Sequence, residues 1–278
     1  MDWSDLPMWT GVLFRALGAI SSESWPTVWM ILEVNMMSFL PIIATKWAIK
    51  KYAMLYYIVQ RVGSLVLLAG GLIRDRAALS NKWVTFGLLL KSRLAPMHFW
   101  GAAFIVNLSK FNTFIFLTWQ KMSPLFLLLC LTPKQTLICL LIVNAIVASF
   151  CCIGAKDLRI LLFYSGIIHT RWIMAAVFLI ACKYFMFYTF LTGPLLLVNN
   201  NLYNVSVLIL NMAGIPPLSG FLLKLNVLQL ISFGIRGYLL IFSLLLLYAY
   251  MRIFLYWLVR FGPLKLNVVL VCCIGSLF

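Results

Sequence analysis

The chain has 278 residues, of which 64% are hydrophobic and 10% are charged, and its mean hydropathy is +1.04. This composition excludes a soluble globular domain and predicts a helical protein that crosses a membrane several times. The formal net charge of +16 would suit nucleic-acid binding, but most lysines and arginines occupy short connections and form no basic patch among polar recognition residues. Anchoring of loops at anionic lipid headgroups explains them better.

Apolar segments recur along the chain, and no linker is long enough to separate domains. The sequence therefore predicts a single transmembrane domain over 1–278, an all-α, antiporter-like bundle of about ten or eleven helices. The predicted spans are 8–22, 25–45, 52–73, 83–108, 112–131, 135–154, 158–181, 184–199, 203–233 and 237–260, with a tail from 265.

Three titratable residues lie near the middle of predicted spans. Glu33, Lys91 and Lys121 are each roughly eight to ten residues from a span end, about 15 Å from either interface at 1.5 Å of rise per residue. A charge at this depth costs about 2.5 to 3.5 kcal/mol on insertion scales, so such residues indicate a functional role. The role that we expect is proton movement.

Two of the predicted helices are interrupted. Pro96 follows Lys91, and the Gly- and Pro-containing stretch 214–220 precedes Lys224. Proline removes a backbone donor, and in lipid the freed carbonyls need protein or water as partners, so broken helices often mark wet cavities where ions pass. Each break alone is equally compatible with a simple kink, but the lysine beside each favours function.

No pattern for a bound redox group is present. The chain has no G-x-G-x-x-G stretch, no C-x-x-C and no pair of histidines placed for haem. We therefore expect no flavin, haem, metal or nicotinamide on this chain, and expect its cysteines to be small core residues. These cysteines are Cys130, Cys139, Cys151, Cys152, Cys182, Cys272 and Cys273.

Five stretches match the signatures of one protein family in order and spacing. They are W-x-x-x-E-x-N-x-x-S-F-x-P at 29–41, K-x-G-x-A-P-F-H-F-W at 91–100, L-T-W-Q-K-x-A-P at 117–124, L-R-K-x-x-x-Y-S-S-I-x-H at 158–169 and G-G-x-P-P-L-x-G-F-x-x-K at 213–224. By these stretches the chain resembles the subunit 2 family of mitochondrial NADH:ubiquinone oxidoreductase, respiratory complex I, whose members are antiporter-like membrane subunits.

The resemblance implies a proton-translocating subunit of the complex I membrane arm, in the mitochondrial inner membrane. It implies a relay in which Glu33 pairs with Lys91, Lys121 lies centrally and Lys224 follows towards the exit. Burial disfavours a charged lysine and a carboxylate within about 4 to 6 Å favours it, so moving Glu33 would release the proton of Lys91. We expect the Glu33 carboxylate within roughly 4 to 7 Å of the Lys91 ammonium, directly or across one water.

The resemblance also implies that redox chemistry occurs elsewhere. FMN, iron-sulfur clusters and ubiquinone are expected in partner subunits. The expected partners of this chain are the other membrane-arm subunits and membrane lipids, with no nucleic acid and no soluble substrate.

Three further residues are candidates for the relay. His98 lies in the matched stretch after Lys91, and His169 lies mid-helix with Tyr164 within one to two turns. Either histidine could lie on a water wire, although a lone histidine in a membrane is more often a hydrogen-bonded structural residue.

The chain departs from the family pattern at three arginines. Arg61, Arg93 and Arg171 occupy positions that are small or apolar in the family, and Leu55 replaces a family lysine. A like charge two residues from Lys91 should disfavour its protonated form or require another acidic partner.

Two other functions are compatible with parts of the sequence. A stand-alone cation/proton antiporter would use similar buried charges, but it should carry acidic ion ligands in its broken helices, and these have none. A non-pumping structural spacer needs no central charges, so the sequence favours proton conduction.

Overall fold

A computed structural model of the chain describes residues 18–19, 21–22, 24–43, 50–72, 77–155, 157–197, 202–216, 218–231 and 233–261. Within these ranges all regular structure is helical, and six helical stretches are long and apolar enough to cross a membrane. They are Trp25–Ile43, Lys50–Leu72, Lys110–Leu131, Lys134–Gly154, Phe178–Leu197 and Phe233–Tyr256. The predicted all-α membrane fold is confirmed.

The chain divides into two compact units, Met1–Leu140 and Leu141–Phe278. The described helices of the first unit are α1 (Trp25–Ile43), α2 (Lys50–Leu72), α3 (Ala77–Ser92), α4 (Phe99–Ile105), α5 (Lys110–Leu117) and α6 (Trp119–Leu131). Helix α7 (Lys134–Gly154) begins in the first unit and ends in the second.

Close packing of α2 on α3 fixes the first unit. A Cβ added to Gly87 of α3 would lie 2.7 Å from Leu67 Cγ and 2.9 Å from the Gly63 carbonyl oxygen, so only a residue without a side chain allows this approach. Helix α1 packs on α2, where Trp29 donates a 3.0 Å hydrogen bond to the Ser64 carbonyl.

Five aromatic side chains fill the core between these helices with ring centroids 4.8 to 6.5 Å apart. They are Phe39, Tyr56, Trp100, Phe104 and Phe116. Such rings bury large apolar areas in fixed orientations. They hold the broken part of the unit, from the end of α3 to α5, against α1 and α2.

The second unit contains α8 (Leu158–Ala175), α9 (Phe178–Leu197), α10 (Leu202–Ala213), α11 (Ser219–Leu230) and α12 (Phe233–Phe261). Helix α8 packs against α9, α11 and α12, and α10 packs against α9, α11 and α12. Asn211 fixes the gap between α10 and α11, because its side-chain oxygen accepts a 2.9 Å hydrogen bond from the Gly220 amide and its side chain also contacts Ser219 at 3.3 Å.

Both predicted breaks are present, between Ser92 and Phe99 and between Ala213 and Ser219. A third break at Thr118 divides the predicted span 112–131 and was missed, because neither glycine nor proline marks it. The predicted boundary near Lys183 is wrong, since α9 begins at Phe178 and Lys183 is an exposed residue within it.

Two predicted segments fall outside what the structure describes. The span 8–22 lies largely there, and the tail from 265 lies there entirely. The prediction that the cysteines are core residues holds for Cys152 but is wrong for Cys130 and Cys139, which are exposed on the surface of the chain.

Candidate functional site

Glu33 is the one acidic side chain that is buried among the described residues. One of its carboxylate oxygens accepts a 2.8 Å hydrogen bond from Arg61 of α2, and the two form a salt bridge. The second oxygen is buried without a hydrogen-bond partner in the described structure. The carboxylate is therefore held by one cation through one oxygen, with the other oxygen uncommitted.

Lys91, at the end of α3, is also buried, and its ammonium has no hydrogen-bond partner in the part of the chain that is described. Its stem lies against α2, where a Cβ added to Gly63 would be 3.3 Å from Lys91 Cγ. Its charge is attracted by Glu33 and repelled by Arg61. The Glu33 carboxylate forms its salt bridge with Arg61 and not with Lys91. The predicted pairing of Glu33 with Lys91 stays a prediction.

Arg93 lies in the break that follows α3. Its guanidinium carbon is 3.7 Å from the centroid of the Phe116 ring, and the side chain is buried. Its backbone φ is 59°, in the left-handed region that costs a residue with a side chain about 1 to 2 kcal/mol. The contact with Phe116 offsets part of that cost.

Lys121 lies in the first turn of α6, directly after the third break. Thr118 separates α5 from α6, and its hydroxyl donates a 2.7 Å hydrogen bond to the Phe114 carbonyl, four residues earlier. The Lys121 amide donates to the Thr118 carbonyl at 2.9 Å, and its side chain is buried. Lys91, Lys121 and Lys224 thus all lie beside interruptions of apolar helices.

A pair of amides connects α1 with the helix of Lys121. Asn35 and Gln120 face each other with reciprocal distances of 3.4 and 3.5 Å, and both are buried. Asn35 is two residues from Glu33, and Gln120 precedes Lys121. Asn35 and Gln120 each belong to a matched signature, but no pattern in the sequence indicated that they pair.

Lys224 lies in α11, after the second predicted break. Its ammonium donates a 2.6 Å hydrogen bond to the Ala213 carbonyl and a 3.4 Å one to the Met212 carbonyl, at the end of α10. Gly214 has φ 77°, and a Cβ there would be 2.7 Å from the Lys224 nitrogen. The glycine thus permits both the turn and the approach of the lysine to the exposed helix end.

Arg171 and Lys224 both lie against Trp172, with the guanidinium carbon and the ammonium nitrogen each 5.9 Å from its ring. Arg171 is fully buried and donates to the Leu239 carbonyl at 3.3 Å. Asp157 is the single acidic residue in 141–278. It directly precedes α8, whereas Arg171 lies near the other end of that helix. The two buried cations therefore repel each other when both are charged.

His169 and Tyr184 form a buried hydrogen bond, with 2.9 Å between Nδ1 and the phenol oxygen. The ring of Tyr188 lies 5.4 Å from the His169 ring. Together they border a cavity of about 10 Å³, close to the volume that one water needs. The cavity is lined by His169, Tyr184, Phe187, Tyr188, Asn211, Met212, Gly220 and Lys224.

The other two candidates lie elsewhere. Tyr164 is only partly buried and does not line that cavity, and its part in the relay stays a prediction. His98 immediately precedes α4, as its N-cap residue, and is also partly buried. In the described ranges no group of three or more His, Cys, Asp or Glu side chains could hold a metal ion.

The sequence matches known membrane subunits. Residues 76–206 match the family described as the transmembrane part of NADH:quinone oxidoreductase and Mrp antiporters. The chain is 30% identical to NADH-ubiquinone oxidoreductase chain 2 of Lycodon semicarinatus, over 91% of this chain and 85% of that one. It is 28% identical to chain 2 of Anopheles gambiae, over 87% and 82%.

The chain belongs to the NADH-ubiquinone oxidoreductase chain 2 family. Solved structures show the same fold at low identity. A chain of the Mrp complex from a Dietzia species superimposes with a TM-score of 0.78 and 16% identity, over 91% of this chain but only 59% of that one. A chain of an archaeal membrane-bound sulfane sulfur reductase gives 0.78 and 14%, over 97% and 70%.

The chain 2 signature explains the backbone at Arg93. It has glycine at that position, and glycine adopts positive φ without steric cost. The structure keeps the turn that glycine would make and places an arginine in it. The departure therefore adds a positive charge near Lys91 and Lys121 while the backbone path is retained.

Proposed function

We propose that this chain moves protons through groups buried beside its broken helices. In the first unit these groups are Glu33, Lys91 and Lys121, and in the second they are His169 and Lys224. The observation that carries the proposal is the burial of three lysines, each beside a helix interruption, within apolar segments. Charges in such places are costly, and ion transfer is the function that uses them.

As a member of the chain 2 family, the chain is a proton-translocating membrane-arm subunit of NADH:ubiquinone oxidoreductase. Its partners under this proposal are the other membrane-arm subunits and lipids, and its location is the mitochondrial inner membrane. Under this proposal FMN, iron-sulfur clusters and ubiquinone belong to partner subunits.

The Glu33 carboxylate has two candidate cations, Arg61 and Lys91. Two unit charges about 4 Å apart interact by about 4 kcal/mol at an effective dielectric constant of about 20, and by about 2 kcal/mol at about 8 Å. A shift of the carboxylate from Arg61 towards Lys91 thus stabilises the charged lysine by about 2 kcal/mol, roughly a 30-fold change in its proton occupancy. The shift back favours release of that proton.

This change is too small to drive pumping alone. Moving one proton against about 150 mV requires roughly 3.5 kcal/mol. The remaining free energy must come from the redox reaction in partner subunits. Glu33 is in this view a gate that responds to those subunits, and the chain is a transducer of their energy.

A spacer function is less well supported, since it gives no reason to bury lysines. A stand-alone cation/proton antiporter should carry acidic cation ligands in its helix breaks, and the breaks at 93–98, 118 and 214–218 contain none.

The decisive substitution is Lys121→Met in the intact complex. Methionine has similar length and removes a costly charge, so assembly should be preserved. Pumping should stop, and NADH oxidation should slow with it, because redox turnover and proton translocation are coupled. Turnover and the proton gradient formed per NADH are measured in reconstituted complexes.

Lys134→Met is the matched control, because Lys134 is exposed at the start of α7. It should leave both quantities unchanged. Normal turnover and a normal gradient in the Lys121 variant would make that lysine structural and return the chain to the spacer function.

A further inference from the structure

Tyr184 is a buried phenol that no sequence signature marked. It lies on α9, and its hydroxyl is 2.9 Å from Nδ1 of His169 on α8. Both residues are almost wholly inaccessible, with exposed fractions of 2% and 3%. A phenol can donate one proton while accepting another, so this contact can pass a proton as well as fix a side chain.

The hydroxyl and the imidazole share a cavity with Lys224. The cavity has about 10 Å³, room for about one water, and its polar lining comes from four helices. Small cavities with several polar partners hold water, whereas apolar ones stay dry. His169, Tyr184 and Lys224 thus border one small space that has room for about one water.

We propose that the Tyr184 hydroxyl is a proton-carrying group of the relay, which connects His169 with Lys224 across this cavity. The proposal rests on the function proposed above and adds a residue to it. The doubly protonated, cationic form of His169 gives its Nδ1 proton to the phenol oxygen as the phenol gives its own proton across the cavity to the neutral Lys224 amine. One N–H bond breaks at His169 and one forms at Lys224, while one O–H bond forms and one breaks at the phenol. The imidazole and the phenol therefore end neutral, and the positive charge moves to the Lys224 ammonium.

The surroundings of the cavity suit a transfer that leaves no charge on the phenol. The titratable groups that line it are His169, Tyr184, Tyr188 and Lys224, and none is acidic. Arg171 is not part of the lining and donates to the α12 carbonyl of Leu239. A full negative charge on the phenol is therefore not required at any step.

The test is Tyr184→Phe in the intact complex, with Tyr238→Phe as control. Phenylalanine keeps the ring and removes only the hydroxyl. The control substitution Tyr238→Phe also removes a hydroxyl, which donates a 2.7 Å hydrogen bond to the Ile142 carbonyl. Tyr238 does not line the cavity. NADH turnover, the proton gradient per NADH and the solvent deuterium isotope effect are measured per assembled complex.

We expect Tyr184→Phe to lower turnover by about 100-fold or more, the range typical of losing a positioned proton-transfer group, and to change the isotope effect. Tyr238→Phe should change neither. Tyr184→His, which returns a protonatable side chain, should recover part of the turnover, and Tyr184→Gln should not. This comparison remains valid if the phenylalanine variant assembles poorly.

Lys224→Met distinguishes failure of this proposal from failure of the proposed function. A normal Tyr184→Phe complex beside a blocked Lys224→Met complex would overturn the role of Tyr184 alone. Normal turnover and gradient in both would overturn the relay in the second unit altogether. Equal turnover of the His and Gln variants would show that Tyr184 only holds His169 in place.

Discussion

Substitution of Arg61 is the most direct test of the gate proposed at Glu33. Arg61→Gln removes the cation that holds the carboxylate at 2.8 Å and leaves the Lys91 ammonium as the cation available to it. The carboxylate should then stay with Lys91, whose charged form gains about 2 kcal/mol by the estimate above. A lysine that holds its proton roughly 30-fold more often should release it correspondingly less often.

NADH turnover of the intact complex should therefore fall by up to about 30-fold, with the gradient per NADH falling or unchanged. Assembly should be affected less, because the substitution removes a charge from the middle of a membrane-spanning helix and leaves Lys91 near the Glu33 carboxylate. The assay compares turnover per assembled complex with that of Arg61→Lys, which keeps the charge and should retain most activity.

A double variant tests whether Arg61 acts through Glu33. Glu33→Gln alone should slow turnover, and adding Arg61→Gln should change little further, since the carboxylate on which Arg61 acts is already gone. Fully additive losses would mean that Arg61 acts on another group. Normal turnover in Arg61→Gln would refute the two-partner gate.

Two residues with positive φ, Arg93 and Gly214, give further predictions. Because Arg93 has φ 59°, Arg93→Gly should leave the thermal stability of the purified complex equal or higher, whereas the β-branched Arg93→Val should lower it; the opposite order would contradict the strain at this turn. Gly214→Ala should displace the Lys224 nitrogen, 2.7 Å from the new Cβ, and lower proton pumping, while Gly154→Ala, with no atom within 4 Å, should have no effect. Equal pumping by both glycine variants would show that the position of the Lys224 nitrogen is unimportant.

Hydropathy predicted the helix boundaries correctly where an apolar span ends at polar residues. The predicted spans 25–45, 52–73, 135–154 and 237–260 agree with α1, α2, α7 and α12 within a few residues. The boundary between α8 and α9 was displaced, because the chain is apolar through residues 176–181 and a lysine two residues further on looked like a connection. Long side chains such as that of Lys183 can reach the interface from within a helix, so a charge need not mark a helix end.

The break at Thr118 could not be predicted from Gly and Pro, because neither residue lies there. The Phe114 carbonyl accepts hydrogen bonds from both the amide and the hydroxyl of Thr118, so the side-chain contact does not by itself explain the break. Threonine makes the same contact inside continuous helices, as Thr192 does with the Tyr188 carbonyl. The difference lies in the tertiary contacts around position 118, which the sequence does not display.

The residues of the site were predicted better than their partners. Glu33, Lys91, Lys121, Lys224 and His169 are buried, as their positions in apolar spans required. Which groups they contact depends on helix rotation and on approach distance, and both are set by packing. Gly63 and Gly87 allow α2 and α3 to pack closely, and this packing brings Arg61 of α2 near Lys91 of α3. The residues around Glu33 in the sequence do not indicate this arrangement.

The position of Lys224 suggests why lysines and helix breaks occur together in this fold. A helix that ends inside a membrane exposes carbonyl oxygens that lipid cannot satisfy, and each would cost several kcal/mol without another partner. The Lys224 nitrogen satisfies two of them, those of Ala213 and Met212, and a helix C-terminus favours a positive charge. A neutral Lys224 amine still has two protons to donate, so both carbonyls keep their hydrogen bonds when the lysine is deprotonated. Only the attraction between the positive charge and the helix C-terminus is lost. A lysine at a broken helix can thus change its protonation without dismantling the structure that buries it, which a proton carrier inside a membrane requires.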